Sequence, residues 1–249
     1  MINQAVILAG GKGKRLFPLT KNLPKPMAPV NGIPFLSYLI QDLKKVGFKK
    51  ILILIGYKSD VIQKYFNKTF YKNLKISFFF SPVKSDTGRR VIDAYKFLDN
   101  EFMLLYGDNY WRPNRTKMYN KFKNFNASIT TTVFNNKNGT AEYGKSNNIY
   151  LSGKSRVIKY DKTRKQKKLN GVDIGFFIVK KDFLKKFSKN NINYSFENHI
   201  LDKAIKLKKL YAHRTDKQYY SITNIKMLKK FEKIVKKKNL KYLRNDRIL

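Results

Sequence analysis

Seven residues, "QAVILAG" (4–10), are apolar enough to be buried on both sides and too few to make a stable helix, so they read as a strand of a covered sheet. The stretch directly behind this strand constrains the fold most. "GKGKRLFPLTKNLPKPM" (11–27) has glycines at 11 and 13 and prolines at 18, 24 and 26, which no regular element tolerates together. Beyond this turn, "PFLSYLIQDLKKVG" (34–47) has the spacing of an amphipathic helix ending at Gly47, and "KKILILIGY" (49–57) is a second apolar strand. Strand, helix and strand at this spacing require a parallel pair joined by a crossover.

The alternation continues. "SDVIQKYFNKTF" (59–70) reads as a helix with Ser59 as its N-cap, "KISFFFSP" (75–82) as a strand, "GRRVIDAYKFL" (88–98) as a helix and "EFMLLYGD" (101–108) as another strand. The fold class expected is α/β, a doubly wound Rossmann-like mixed sheet. After Asp108 the pattern loosens. "NASITTTVF" (126–134), "SRVIKYDK" (155–162) and "DIGFFIVKKDF" (173–183) hold strand-like runs, while "TRKQKK" (163–168) reads as a solvated loop. "KLYAHRTD" (209–216) and "QYYSIT" (218–223) look like a closing strand pair. In "KMLKKFEKIVKKKNLKYL" (226–243), Met227, Leu228, Phe231, Ile234 and Val235 share one helical face and lysines cover the other. Such a helix can lie on an anionic membrane, but packing on its own domain is the expectation here.

Composition narrows the function classes. The chain has 249 residues, within the size of one α/β domain, and no linker or repeat divides it. It has no cysteine, which removes disulfide frameworks and thiolate metal sites. No apolar stretch reaches membrane-spanning length and the start lacks the charged segment of an export signal, so a cytoplasmic protein without membrane insertion is expected. The net charge of +38 favours anionic partners, yet the lysines are spread along the whole chain and no nucleic-acid-binding motif accompanies them, so no specific nucleic acid is expected. With only 16 acidic residues, a carboxylate at the end of an apolar strand stands out.

The turn at 10–27 has a physical use. Glycine lets backbone N–H groups approach a phosphate closely, and Gly10, Gly11 and Gly13 sit where the first parallel strand ends. Lys12, Lys14 and Arg15, then Lys25 between Pro24 and Pro26, add charge for a polyphosphate. The run is neither a P-loop nor a dinucleotide fingerprint, and the bland alternative is a tight basic turn. Asp108 closes "FMLLYGD" at the carboxyl edge of the sheet, where doubly wound folds bind ligands, and magnesium takes hard oxygen ligands of this kind.

The stretch "LAGGKGKRLFPLTKNLPKPMAPVNGIPFL" resembles the signature of the sugar-1-phosphate nucleotidyltransferases, and "TGRRVIDAYKFL", "LLYGDNYW", "YDK", "LNGVDIGFFIV" and "QYYSI" extend the resemblance over nearly the whole chain. The subclass most resembled is the guanylyltransferases of D-glycero-D-manno-heptose 1-phosphate. The resemblance implies the nucleotidyltransferase fold in a single domain over 1–249, with a nucleotide-binding half (1–110), a sugar-phosphate-binding half (111–225) and a C-terminal helix (226–249). It implies attack of a sugar 1-phosphate oxygen on the α-phosphorus of a nucleoside triphosphate with Mg2+ present, GTP being the leading nucleotide and surface polysaccharide synthesis the setting. Such chemistry needs positioning and charge neutralisation more than a nucleophilic side chain.

By the same resemblance Leu8, Ala9, Gly10, Gly11, Gly13 and Gly88 bind nucleotide, with Gly10 and Gly11 acting through their backbone groups. Arg15 stabilises the leaving pyrophosphate, Lys25 sits at the α-phosphate and Asp108 holds the metal. Gly144, Asp161, Lys162 and Asp173 bind the sugar phosphate, Asp161 replacing the family's glutamate beside the lysine; a strand-end hydrogen bond to backbone is the alternative for Asp173. Tyr110 and Trp111 are expected to pack the loop after Asp108 rather than flank substrate, and His199 and His213 to be structural or surface residues. Three departures stand out: Lys14 replaces a threonine, Arg89 and Arg90 replace small residues near the base, and Ser221 stands where the family has a second metal-binding aspartate. That last loss keeps a non-catalytic, regulatory relative as an alternative, and assembly into a homo-oligomer is left open.

Overall fold

The computed structural model describes residues 1–69, 71–153, 155–188 and 191–237; Phe70 of the expected 59–70 helix and residues 238–249 of the expected C-terminal helix lie outside the described residues. In chain order the strands and helices are β1 (Gln4–Leu8), β2 (Pro29–Val30), β3 (Ile33–Pro34), α1 (Phe35–Lys45), β4 (Lys50–Ile55), α2 (Ser59–Asn67), β5 (Lys75–Phe80), α3 (Thr87–Asp93), β6 (Glu101–Tyr106) and β7 (Asn109–Tyr110). They continue with α4 (Arg115–Asn124), β8 (Ile129–Phe134), β9 (Ile149–Leu151), β10 (Val157–Tyr160), β11 (Val172–Lys180), α5 (Lys181–Leu184), α6 (Asp202–Lys206), β12 (Leu210–Thr215), β13 (Tyr220–Ser221) and α7 (Ile225–Lys237). The chain forms two compact units, each built from separate stretches of sequence. One holds residues 3–84, 106–112 and the described part of 220–249; the other holds residues 1–2, 85–105 and 113–219.

In the first unit β1, β4 and β5 are parallel neighbours, with Ala5 opposite Ile51 and Ile53 opposite Phe78. Ala5, Val6, Ile7 and residues 51–55 are buried, as strands covered on both faces require. Helix α1 makes the crossover, buries Phe35, Leu36, Leu39, Ile40 and Leu43, and stops where Gly47 takes φ +93°, a left-handed value that closes a helix cheaply only as glycine. Ser59 does not cap α2: it is the first helical residue, and Lys58 in the left-handed conformation precedes it without a side-chain cap. Helix α7 packs on its own unit, as expected. Phe231, fully buried, meets the rings of Phe35, Tyr38, Tyr110 and Tyr220 at 4.8 to 6.1 Å, and Leu228 and Val235 are buried beside it on the same face. Asn224 caps this helix through its side-chain oxygen, which accepts from Met227 N.

In the second unit the strand order is β12-β8-β11-β6, with β11 antiparallel to β8 and β6 and β12 parallel to β8. The expected closing pair of 209–216 with 218–223 does not form. Leu210, Ala212 and Thr215 of the first run pair with β8, whose six residues are all buried, whereas Tyr220 and Ser221 pair with Tyr110 and Asn109 in the first unit. A buried strand must satisfy its backbone on both sides, and β12 supplies the second side of β8. Helix α4 escaped sequence reading because Met118 and Phe122 are its only buried residues, too few to show a period. The expected 88–98 helix breaks after Asp93 and tightens into a 3-10 turn at Tyr95–Phe97. No helix among the described residues is long and apolar enough to cross a membrane.

Candidate active site

The end of β1 is locked by backbone bonds. Leu8 O accepts from Gly107 N (3.0 Å), Ala9 N donates to Leu54 O (2.9 Å) and Gly10 O accepts from Tyr57 N (3.0 Å). The next glycines then serve different purposes. Gly13 has φ +62°, and a Cβ there would lie 2.6 Å from Lys25 Cβ, so this glycine lets the loop fold onto the lysine. Gly11 has open space where its Cβ would stand, so neither packing nor a left-handed backbone explains it. Leu16 is fully buried and pins the loop, leaving Lys12, Lys14 and Arg15 at the surface around it.

Lys25 opens a 3-10 turn, Lys25–Met27, and its Nζ lies 2.7 Å from Asp108 Oδ2. The lysine side chain is 9% exposed and the aspartate 31%, so a covered cation meets a carboxylate that water reaches. A covered ammonium without such a partner would be costly. Gly107 cannot carry a side chain, since a Cβ would sit 2.8 Å from Leu8 O; this close approach holds Asp108 at the end of β1. On its other side Asp108 O accepts from Ile222 N at 3.0 Å, and Ser221 stands opposite Asn109. Ser221 is buried and its hydroxyl has no hydrogen-bond partner among the described residues. Trp111 is buried and Tyr110 donates to Asp42, so both pack the loop, as expected. No cluster of three or more His, Asp or Glu side chains able to hold a metal occurs among the described residues.

The second unit gathers carboxylates. Asp161 is saturated by its own turn: Oδ1 accepts from the amide and hydroxyl of Thr163, and Oδ2 from the amides of Lys165 and Gln166, at 2.6 to 3.0 Å. The Thr163 hydroxyl leads these bonds in holding its pKa down at about 2. Asp161, expected to contact the sugar, thus already holds four donors of the loop it shapes. The acid beside Lys162 is instead Glu197, with Oε1 3.8 Å from the lysine Nζ. Glu197 is 9% exposed, and its Oε2 accepts from the hydroxyls of Thr87 (3.1 Å) and Ser195 (2.9 Å). It was missed because the acids weighed were those at strand ends, whereas Glu197 starts a helical stretch, Phe196–Leu201. Its signal was an acid set within the apolar run "YSFENHIL".

Gly88, expected at the nucleotide, also has a packing task. A Cβ there would meet Tyr194 O at 2.8 Å and Phe196 N at 3.0 Å, so its smallness brings α3 against the segment that carries Glu197. Gly144 takes φ +60° with open space beside it, and its carbonyl accepts from Asn136 Nδ2 at 2.7 Å. Asp173 Oδ1 accepts from Thr131 Oγ1 (2.6 Å) and from Gly175 N (3.1 Å), the strand-end bond weighed as its alternative. Burial pushes its pKa up to about 6 against those two bonds, and the charge of Glu197 adds to the rise. Tyr160 beside it is pushed well up, first by burial and then by the charge of Asp173. His199 accepts from Ser195 N through Nδ1, and His213 is buried with its pKa lowered to about 4, first by burial; both are structural.

Comparison with known proteins gives the family and the fold. Residues 4–233 match the family model described as nucleotidyl transferase. The chain is 32% identical over 209 residues to a D-glycero-alpha-D-manno-heptose 1-phosphate guanylyltransferase of Campylobacter jejuni, covering 82% of this chain and 88% of that protein. It is 29% identical to the enzyme of the same name from Aneurinibacillus thermoaerophilus, covering 88% and 92%. Among solved structures, HddC from Yersinia pseudotuberculosis complexed with GMP-PN superposes with a TM-score of 0.77 at 22% identity, covering 94% of this chain and 99% of that one. A putative glucose-1-phosphate thymidylyltransferase from Bacillus anthracis gives 0.77 at 16% identity, covering 93% and 94%, so the fold is shared well beyond close sequence. The chain belongs to the nucleotidyl transferase family.

Proposed function

We propose that the chain transfers a nucleoside monophosphate from a nucleoside triphosphate to a sugar 1-phosphate, releasing pyrophosphate, with GTP and D-glycero-D-manno-heptose 1-phosphate as the leading pair. The observation that carries this reading is the open space over Gly11, on the loop that Gly13 folds onto Lys25, whose ammonium pairs with Asp108: a glycine required neither by packing nor by its backbone leaves room for a phosphate chain. In this reading the whole chain works as one nucleotidyltransferase domain. Leu8 to Gly13 present the nucleotide site, Arg15 meets the leaving pyrophosphate, and Lys25 turns from Asp108 to the α-phosphate. Lys162 holds the sugar phosphate, Glu197 and Asp173 accept from sugar hydroxyls beside Gly144, and Asp161 shapes the loop that presents Lys162.

Magnesium fits the groups present. Asp108 offers a carboxylate that solvent reaches, and Ser221, across from Asn109, carries an unpaired hydroxyl. Mg2+ is commonly held by one or two carboxylates, with substrate phosphates and water completing its shell. Asp108 would hold it, and the ion would neutralise charge on the triphosphate. The setting proposed is cytoplasmic synthesis of an activated sugar for surface polysaccharide.

The test is a panel of the four common nucleoside triphosphates against heptose, mannose, glucose and N-acetylhexosamine 1-phosphates, read as pyrophosphate release. Turnover is expected only with both substrates and Mg2+, and fastest with GTP and the heptose phosphate. A folded protein that binds nucleotide but turns over in no combination would favour the regulatory reading, which the serine at 221 supports.

A further inference from the structure

Asp108 reaches phosphate and metal only if the segment carrying it is held still. Its leading side is fixed by the Gly107 N to Leu8 O bond. Its trailing side is tethered through the backbone, Asp108 O accepting from Ile222 N and Asn109 and Tyr110 pairing with Ser221 and Tyr220, and through a side-chain anchor. That anchor is Asp42, buried on α1. Its Oδ2 accepts from Tyr110 Oη at 2.6 Å and its Oδ1 from Arg112 at 3.1 Å. The two donors stand two and four residues beyond Asp108 and converge on one carboxylate. The Tyr110 ring also packs on Phe231, 4.8 Å between centroids, so its hydroxyl is held at the carboxylate from both ends of the side chain.

A buried carboxylate costs several kcal/mol unless its oxygens are paired, which argues that Asp42 has a task beyond filling space on α1. Leucine at this helical position would bury without that cost. We propose that Asp42 is the positioning residue of the Asp108 segment: by gripping Tyr110 and Arg112 it fixes where the Asp108 carboxylate stands for metal-bound triphosphate. This rests on the proposed nucleotidyl transfer, since it presumes that Asp108 meets a metal. Asp42 itself touches neither substrate nor ion.

The test uses Mn2+ as a spectroscopic substitute for Mg2+, with a non-hydrolysable GTP analogue. Mn2+ affinity is read by electron paramagnetic resonance, beside thermal melting and steady-state kinetics. Asp42→Asn keeps the shape and weakens the grip; it is expected to lower Mn2+ affinity in the ternary complex about tenfold, the order found when residues supporting a metal ligand are changed. The requirement for Mg2+ in turnover should rise in step, with the KM for sugar phosphate unchanged. Tyr110→Phe should do the same to a smaller extent. In the Asp42→Asn background it should add little, because both changes cut one linkage. Ile62→Ala, a core truncation on α2, controls for stability alone and should lower the melting temperature without moving Mn2+ affinity. Wild-type Mn2+ affinity in folded Asp42→Asn, or full additivity of the two changes, would overturn the inference and leave the proposed function standing. A wild type that binds no Mn2+ with the nucleotide would overturn both.

Discussion

The glycine loop with Lys25 and the carboxylate cluster around Lys162 treat charge in opposite ways. In the first, one covered lysine meets one carboxylate while Lys12, Lys14 and Arg15 stand at the surface around an open glycine, so donors outnumber acceptors. In the second, the three carboxylates Asp161, Asp173 and Glu197 stand with two cations, Lys162 at 62% exposure beside Glu197 and Arg164 acting on Asp173, so acceptors outnumber donors. A surplus of donors suits a phosphate chain, and a surplus of acceptors suits hydroxyls. The three acids are also not alike. Asp161 is consumed by four donors of its own turn, Asp173 is burdened by burial, and Glu197 rests on two hydroxyls that leave it beside the lysine. A carboxylate's place in a motif therefore says less about its role than the donors already pointed at it.

The comparison breaks most visibly at Asp108. Asp108→Ala should cost about a thousandfold or more in turnover and Lys25→Ala about a hundredfold, the scale on which placed electrostatic groups act. Asp161→Ala should be felt as lost stability, with turnover of the folded protein far less affected. Measured kcat values with melting curves decide it; an Asp161 variant as inactive as the Asp108 variant would place both acids at the chemistry and end the distinction drawn between them.

Glu197→Gln should be the next largest. It keeps the shape and the bonds from Thr87 and Ser195 but drops the charge beside Lys162. We expect roughly 10- to 100-fold lower kcat/KM for the sugar 1-phosphate, about 1.4 to 2.7 kcal/mol, with the KM for nucleoside triphosphate unchanged. Equal losses for both substrates would mean that Glu197 supports the fold rather than the sugar site.

The glycines sharpen the comparison further. Gly13→Ala must place a Cβ 2.6 Å from Lys25 Cβ at a positive φ, so it should cost about 2 kcal/mol in stability, read by denaturant unfolding. Gly11→Ala meets nothing within 4 Å and should leave stability within about 0.5 kcal/mol. Its effect should appear instead as weaker triphosphate binding by calorimetry. Unchanged triphosphate affinity in Gly11→Ala would count against a phosphate over that glycine.

The same contrast explains what could be read from the chain before its structure. The β1 to β4 crossover and the glycine loop were legible because their information is local: a buried run, a glycine-rich turn, an amphipathic helix and a second buried run in direct succession. Asp108 was legible because it ends an apolar strand after a glycine that the fold needs. The pairing of 209–216 and 218–223 was misread because adjacency in sequence suggested a hairpin, while the backbone demand of β8 recruited one run and the segment after Asp108 the other. Glu197 could not be placed by spacing, since Lys162 and Thr87 reach it from distant parts of the chain. Motifs carried by backbone and glycine are written in order; sites made of side chains from separate elements are not.

The smallest effect concerns Asp173, whose folded pKa of about 6 lies above the value near 3.9 of an unfolded chain. Between those values the folded protein holds the proton and the unfolded one releases it. Stability therefore falls as pH rises from about 4 to about 6, and the penalty is complete above that range. Two units would correspond to at most about 3 kcal/mol, and because water reaches part of the residue we expect about 1 kcal/mol. Asp173→Asn keeps an oxygen to accept from Thr131 and Gly175 but has no charge to desolvate. It should match the wild type near pH 4 and exceed it in unfolding free energy at pH 7. A gap between the two proteins that is the same at both pH values would mean that Asp173 is not strained by burial, and that the second site tolerates its surplus of acceptors without cost.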